Sequence, residues 1–327
     1  MTVPPVVRLL IRVLLIATAL CASAASAQDA FPAHPIRLVV PVAAGGGIDT
    51  AFRAIAPFWA EILGQPLVID NKPGGGQIIG SDVVAKAKPD GYTLLGAGVP
   101  IAFNTALGRK LPYDAVKDFT PISEVVSQPL LIVVNPSMPA KNMQELLAYA
   151  KRQSSPLQYT TGGIGSYGHL WWEMFRLRQG VEGQHVAYNG IAPALKDVIG
   201  GHVPLLIDAI VPTGAQINSG TVRGIAIVGS ARARMLPELP TLREQGYAGF
   251  DAAPFYGVLA PAGLDPVVAA KLSGTLTQAL AVPALREKLQ EQGFDIIASS
   301  PQAYAKLIRD EIERWSTVVK DAGIVVE

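Results

Sequence analysis

Ile36 to Asp49 reads Ile-Arg-Leu-Val-Val-Pro-Val-Ala-Ala-Gly-Gly-Gly-Ile-Asp, an apolar run that ends in three glycines and a helix start. A buried strand feeding a glycine turn and then a helix is the building unit of layered α/β folds, so this stretch constrains the architecture more than any other. It also has a chemical reading. Glycine lets the backbone turn sharply and approach a ligand, and the free N–H groups of a helix N-terminus carry partial positive charge. Taken alone the segment is either an anion seat or a plain tight turn, and the rest of the chain must decide.

The first residues bear on compartment. Arg8 and Arg12 precede an apolar run from Val13 to Cys21, and Ala25-Ser26-Ala27 is a small-residue cleavage signal, which together predict an export signal cut after Ala27. The apolar run falls short of the roughly 20 residues a membrane span needs. Leu20, where a small residue is expected, argues against a lipid anchor on Cys21. Cleavage would remove the single cysteine and with it any disulfide or thiol chemistry. The formal charge of +1 becomes −1 once Arg8 and Arg12 leave, since residues 1–27 hold no acidic residue. That balance argues against nucleic acid or an anionic membrane as partner.

Half the residues are hydrophobic and 16% are charged, so the roughly 300 residues left after cleavage can bury a large core and suggest about two domains. Strand-like runs alternate with helical patterns: Ile36–Val42 then Ala51–Leu63, Leu67–Asn71 then Gly80–Ala87, and Thr93–Ala97 before a Gly/Pro turn. Two β-rich runs then follow without a helix between them, Ile122–Val126 and Leu130–Asn135, which reads as a crossover between lobes. A second α/β series begins at Asn142-Met143-Gln144-Glu145, a capping-box pattern opening a helix to Arg152. It continues with Leu157–Thr161, a helix near His169–Leu177, Val186–Tyr188, Ala192–Ile199, Leu205–Ile210 and Gly224–Val228. Asp265-Pro266 and Ser300-Pro301 are N-cap and N1 pairs for closing helices. Tyr304, Leu307, Ile308, Ile312, Trp315, Val318 and Val319 recur at helical spacing and read as core.

Three local patterns suggest other chemistry. Gly163-Ile164-Gly165-Ser166-Tyr167-Gly168 spells G-x-G-x-x-G, but a lone match in mid-chain of an exported protein is weak support for a dinucleotide fold. Ser166, His169 and Glu173 raise a hydrolase, yet Ile164 stands where a nucleophile elbow needs glycine, and Ser166 reads better as a helix cap. The histidines His34, His169, His185 and His202 show no zinc spacing, so neither metal nor cofactor is expected. Asp49, Asp70 and Asp208 sit at strand edges, and for Asp49 a helix-capping role outweighs ligand contact.

These residues resemble, over the whole mature length, the Bug family of periplasmic solute receptors of tripartite tricarboxylate transporters. The matching motifs are Pro35-Ile36-Arg37 leading to Gly45-Gly46-Gly47-x-Asp49, Asn71-Lys72-Pro73-Gly74 with Gly80, and Lys88-Pro89-Asp90-Gly91-Tyr92-Thr93-Leu94. Leu111-Pro112-Tyr113-Asp114 with Asp118-Phe119-Thr120-Pro121, Gly165-Ser166 with His169-Leu170 and Glu173, Tyr188-x-Gly190 with Pro193-Ala194-Leu195, Gly200-Gly201 and Asp208 complete the series. The resemblance implies a two-lobed α/β periplasmic-binding-protein fold, a Venus flytrap with its ligand cleft between the lobes. Lobe 1 would hold residues 28–122 and 232–327, and lobe 2, inserted into it, residues 123–231.

It further implies a small carboxylate ligand, a di- or tricarboxylate, amino acid or aromatic acid, held by backbone amides and hydroxyls. The implied contacts are Ala43, Ala44, Gly45, Gly46, Gly47, Asp49, Gly98 and Asn104 in the first lobe. In the second they are Thr161, Gly162, Gly165, Ser166, His169, Tyr188, Asn189, Gly190 and Asp208. The implied partners are the large and small integral-membrane transporter subunits, with a sensor kinase as the alternative. Ile48, Asn189, Ala209 and the pair Ala43-Ala44 depart from the family pattern and leave the ligand open, the apolar first-lobe loop suiting a hydrocarbon or aromatic body.

Overall fold

The computed structural model describes residues 31–188 and 190–325. The expected signal peptide and Asn189 lie outside the described residues. In chain order the first elements are β1 (Ile36–Val40), α1 (Gly47–Leu63), β2 (Leu67–Asn71), α2 (Ile78–Ala85), β3 (Thr93–Gly98), α3 (Pro100–Ala106) and β4 (Phe119–Ser127). Then come β5 (Leu130–Val134), α4 (Met143–Arg152), β6 (Leu157–Thr160), α5 (Tyr167–Gln179), β7 (Gly183–Val186), α6 (Ile191–Ile199), β8 (Leu205–Ala209), α7 (Ile210–Asn218) and β9 (Arg223–Val228). The chain closes with β10 (Phe255–Pro261), α8 (Pro266–Ala281), α9 (Pro283–Glu291), β11 (Asp295–Ile296) and α10 (Pro301–Asp321).

Two sheets result, one in each lobe. The first runs β11-β4-β10-β3-β1-β2 and the second β7-β6-β8-β5-β9. β1, β2 and β3 are parallel, whereas β10 lies antiparallel between β3 and β4. In the second sheet β6, β7 and β8 are parallel and β5 runs against both β8 and β9. The helix N-termini therefore gather at one edge of each sheet, the carboxyl edge of its parallel strands, where ligands of open α/β sheets bind.

Local chemistry explains most boundaries. β1 stops at Val40, two residues short of the expected end, because Pro41 has no N–H for the ladder. α1 starts at Gly47, earlier than Ala51, and buries Ile48, Ala51, Phe52, Ile55, Trp59 and Leu63 at helical spacing against the first sheet. The Trp59 indole donates to Thr275 Oγ1 at 3.0 Å, fixing α1 on α8. The Ser300 hydroxyl accepts from Ala303 N–H at the start of α10, whose Tyr304, Ile308 and Trp315 are buried as their spacing predicts. β7 lies upstream of the expected Val186–Tyr188, since its pairing with β6 brings Gly183 opposite Leu157.

The return to the first sheet comes later than residue 232. Thr241 bridges Ile227 of β9, Leu242 N–H donates to Ile227 O at 2.9 Å, and the Gln245 side chain ties Ile225 O to Met143 N–H. Leu236 and Leu239 pack on the second-sheet core as well. The stretch 232–250, expected in lobe 1, therefore caps the edge of the second sheet, held by pairing that no local pattern announces. The two lobes meet where Tyr167 of α5 stacks on Phe103 of α3, ring centres 5.0 Å apart, and meets Trp315 of α10 at 5.3 Å.

Candidate functional site

The first-lobe wall is the turn from β1 into α1. Ala43, Ala44 and Gly45 are exposed, and Gly46, the N-cap of α1, has no side chain to satisfy the first helical N–H groups. This leaves the positive end of α1 without a side-chain cap. Asp49 does not point there. Its Oδ2 accepts from Gly45 N–H at 2.8 Å and from Arg53 Nε at 2.7 Å, and its Oδ1 accepts from Asn71 Nδ2 at 2.9 Å. Burial alone would raise its pKa, but the bonds from Arg53, Gly45 and Asn71 outweigh it and hold the carboxyl below the usual range. Asp49 is a buried clamp that shapes the glycine turn.

Asn104 is committed in the same way. Its amide donates to Gly76 O at 2.9 Å and accepts from Arg109 at 3.2 Å, so it braces the loop before α2. Gly98 closes β3 against Ile48, whose Cδ1 would lie 2.6 Å from an added Cβ.

The second-lobe wall is the loop from Thr161 to Ser166. Ser166 caps α5, accepting from His169 N–H at 3.4 Å, and donates to Thr161 Oγ1 at 3.0 Å. Thr161 is fully buried and its hydroxyl also meets His185 Nε2 at 2.9 Å and Gly163 N–H at 3.2 Å. His169 Nδ1 accepts from Gly165 N–H at 3.1 Å, and its ring stacks on His185 at 4.1 Å. Burial lowers both imidazole pKa values, that of His185 to about 3, so the pair stays neutral. Gly162 and Gly165 line the turn, and Leu107 of the first lobe packs onto Gly165, which joins the two walls at one side.

Tyr188 gives its hydroxyl to Asp197 within the second lobe, while Gly190 caps α6 with no side-chain partner. Asp208 ends β8 beside the start of α7, and burial pushes its carboxyl up to about 7. Asn189 lies outside the described residues. Asp49, Asn104, His169 and Tyr188 thus spend their side chains on internal partners.

Two residues at the floor had no sequence signal. Gln128 joins β4 to β5 and is 2% exposed; Tyr256 opens β10 opposite Gly98. Gln128 Nε2 donates to the Tyr256 hydroxyl at 2.6 Å, and its Oε1 accepts from Val211 N–H at the start of α7 at 3.4 Å. A Cβ on Gly47 would lie 2.6 Å from the same hydroxyl. A concavity of about 620 Å³ lies elsewhere, between α5 and α10, lined by Met174, Leu177, Arg178, Glu313, Arg314 and Val318. Among the described residues no group of three or more histidine, cysteine or acidic side chains is placed to hold a metal. No described helix is long and apolar enough to cross a membrane.

Residues 51–324 match the tripartite tricarboxylate transporter family receptor. The chain belongs to that family. This tripartite tricarboxylate receptor is 36% identical over 310 residues to the protein BugT of Bordetella pertussis, covering 94% of this chain and 95% of that one. Among solved structures it is similar to Rpa4515 of R. palustris with adipate, at TM-score 0.81 and 35% identity, covering 90% of this chain and 99% of that one. It is similar also to MatC of Rhodopseudomonas palustris with bound malate, at TM-score 0.76 and 32% identity over 88% of this chain and all of that one. The receptor has the two-lobed periplasmic-binding-protein fold expected from its sequence.

Proposed function

We propose that the chain is a non-catalytic periplasmic receptor that closes its lobes on a small carboxylate and passes it to the large and small membrane subunits of a tripartite carrier. The observation that carries this reading is the uncapped N-terminus of α1, at the carboxyl edge of the parallel strands of the first sheet. Such a terminus contributes roughly 0.3–2 kcal/mol toward an anion. Hydrogen bonds to a charged group add about 1.5–3 kcal/mol each. A few of these, less the ordering cost, reach the roughly −8 kcal/mol of micromolar binding without any arginine. The adipate and malate held by the two related receptors support the ligand class. Contacts to both lobes favour the closed form, which a membrane partner can sense.

Hydrolysis by Ser166 and His169 has no geometric support. Ser166 Oγ gives its proton to Thr161, and His169 Nδ1 takes the Gly165 N–H, so Ser166 is not bonded to the His169 ring. No cofactor enters the reading, and no observation favours a sensor kinase over a carrier. The test is titration calorimetry with acetate, benzoate, malate, adipate and citrate, with mass spectrometry of any acid that copurifies. One-to-one binding without turnover of an ester substrate is expected. Ser166→Ala should weaken binding roughly five- to thirtyfold, because the cap and the loop it orders are lost. Unchanged affinity would remove Ser166 from the site, and failure of all five acids to bind would sink the carboxylate reading.

A further inference from the structure

The parallel strands of the first sheet end at the gap, and β10, running the other way, begins there, so Tyr256 stands at the same edge as Gly98. β4 ends at that edge too, and the link to β5 sets Gln128 beside the phenol. On the other lobe Val211, in the first turn of α7, donates to Gln128. One amide therefore spans from the N-terminus of a second-lobe helix to a hydroxyl of the first lobe. That hydroxyl lies against the first turn of α1, above Gly47.

The polarity of this chain is fixed by its middle member. Gln128 Nε2 can only donate, so the Tyr256 oxygen is an acceptor in that bond and its own proton points elsewhere. Among the described residues no protein group accepts that proton, although the ring is packed against Phe294 and held by the amide. The phenol also stays protonated at any physiological pH, since burial and the nearby Asp208 charge both raise its pKa. A held, neutral O–H donor beside an uncapped helix end is the arrangement that recognises an anionic oxygen.

We propose that Tyr256 is a ligand-binding residue whose hydroxyl donates to a carboxylate oxygen of the bound acid, and that Gln128 is the residue that positions it. The inference rests on the carboxylate-receptor reading and adds to it a side-chain donor at the floor of the cleft.

Tyr256→Phe, Gln128→Leu and the double variant test the proposal, using whichever of the five acids the unaltered protein binds most tightly. Tyr256→Phe should weaken binding roughly ten- to a hundredfold, the loss expected for one hydrogen bond to a charged group. Its ligand-free melting temperature and near-ultraviolet dichroism should stay close to the original. Gln128→Leu should weaken binding less, and the double variant should bind no worse than Tyr256→Phe alone, because the amide acts through the phenol. Affinity of Tyr256→Phe within twofold of the unaltered protein would overturn the ligand contact while leaving the receptor reading intact. Losses that multiply in the double variant would overturn the positioning role. If the unaltered protein binds none of the five acids, the receptor reading falls and this inference falls with it.

Discussion

Replacing Gly168 by alanine is expected to destabilise the protein by about 3 kcal/mol, a large loss for the addition of one methyl group. Gly168 lies in the first turn of α5, and a Cβ there would stand 2.3 Å from Ile207 O and 3.0 Å from Ile207 C. Both atoms belong to the backbone of β8, the middle strand of the second sheet, so no rotamer change relieves the clash. The helix must lift off the sheet, and Trp171, Trp172 and Phe175, all buried along α5, would lift with it. Intrinsic propensity pulls the other way, since alanine is favoured over glycine inside a helix by about 0.8–1 kcal/mol.

Gly274 isolates that term. It lies on α8 with nothing within 4 Å of an added Cβ, so Gly274→Ala should raise stability by up to about 1 kcal/mol. Urea denaturation of the two variants, read as a shift in midpoint at unchanged slope, gives both numbers. A Gly168→Ala protein as stable as the original would show that α5 does not press on β8 at van der Waals contact. It would also remove the physical reason for a glycine three residues after the loop at Gly165.

The contrast between these two glycines shows what a sequence can and cannot disclose. β2 occupies Leu67–Asn71 as its pattern predicts, and α8 and α10 begin at Asp265-Pro266 and Ser300-Pro301, because caps and apolar alternation act over a few residues. The glycine turn into α1 is equally local. Gln128 and Tyr256 are not legible, since they meet only when β10 inserts between β3 and β4, a pairing across 128 positions. The same holds for residues 232–250, which are drawn onto the second sheet by Thr241 and Gln245. Side-chain commitments follow this rule as well. Asn104 looks available in the sequence, but Gly76, 28 residues upstream, takes its amide, and Asp49 is shared between its own helix and Asn71 of β2. What the sequence locates is therefore the course of the backbone through caps and turns, and what it misses are polar side chains whose partners lie on other elements.

Removing the charge of Glu124 is the second large effect, and its size depends on pH. Glu124 sits on β4 in a cavity of about 270 Å³ beside the crossover, with Ser127, Tyr167, Asp251, Glu311 and Arg314 around it. Burial first, and then the charge of Glu311, push its carboxyl up to about 7 from an ordinary 4.5. Tyr304 also faces this carboxylate, while Glu311 has its own partners, taking the Trp315 indole N–H at 2.6 Å and the Tyr167 hydroxyl at 3.4 Å. Between pH 4.5 and 7 the folded protein binds a proton at Glu124 that the unfolded chain has released, so stability falls as pH rises through this window. Below it both states are protonated and the penalty vanishes; above it the penalty is complete, about 3.5 kcal/mol at most from roughly 1.4 kcal/mol per pKa unit. Glu124→Gln keeps the shape and removes the ionisation. Its stability should match the original at pH 4 and exceed it at pH 8 by about 1–3 kcal/mol, read from urea midpoints at the two pH values. The alternative is that the ionised carboxylate holds Arg314 or another cation across the crossover. A Glu124→Gln protein less stable than the original at pH 8 would establish that, because losing a pairing charge costs stability where losing a repelled one restores it.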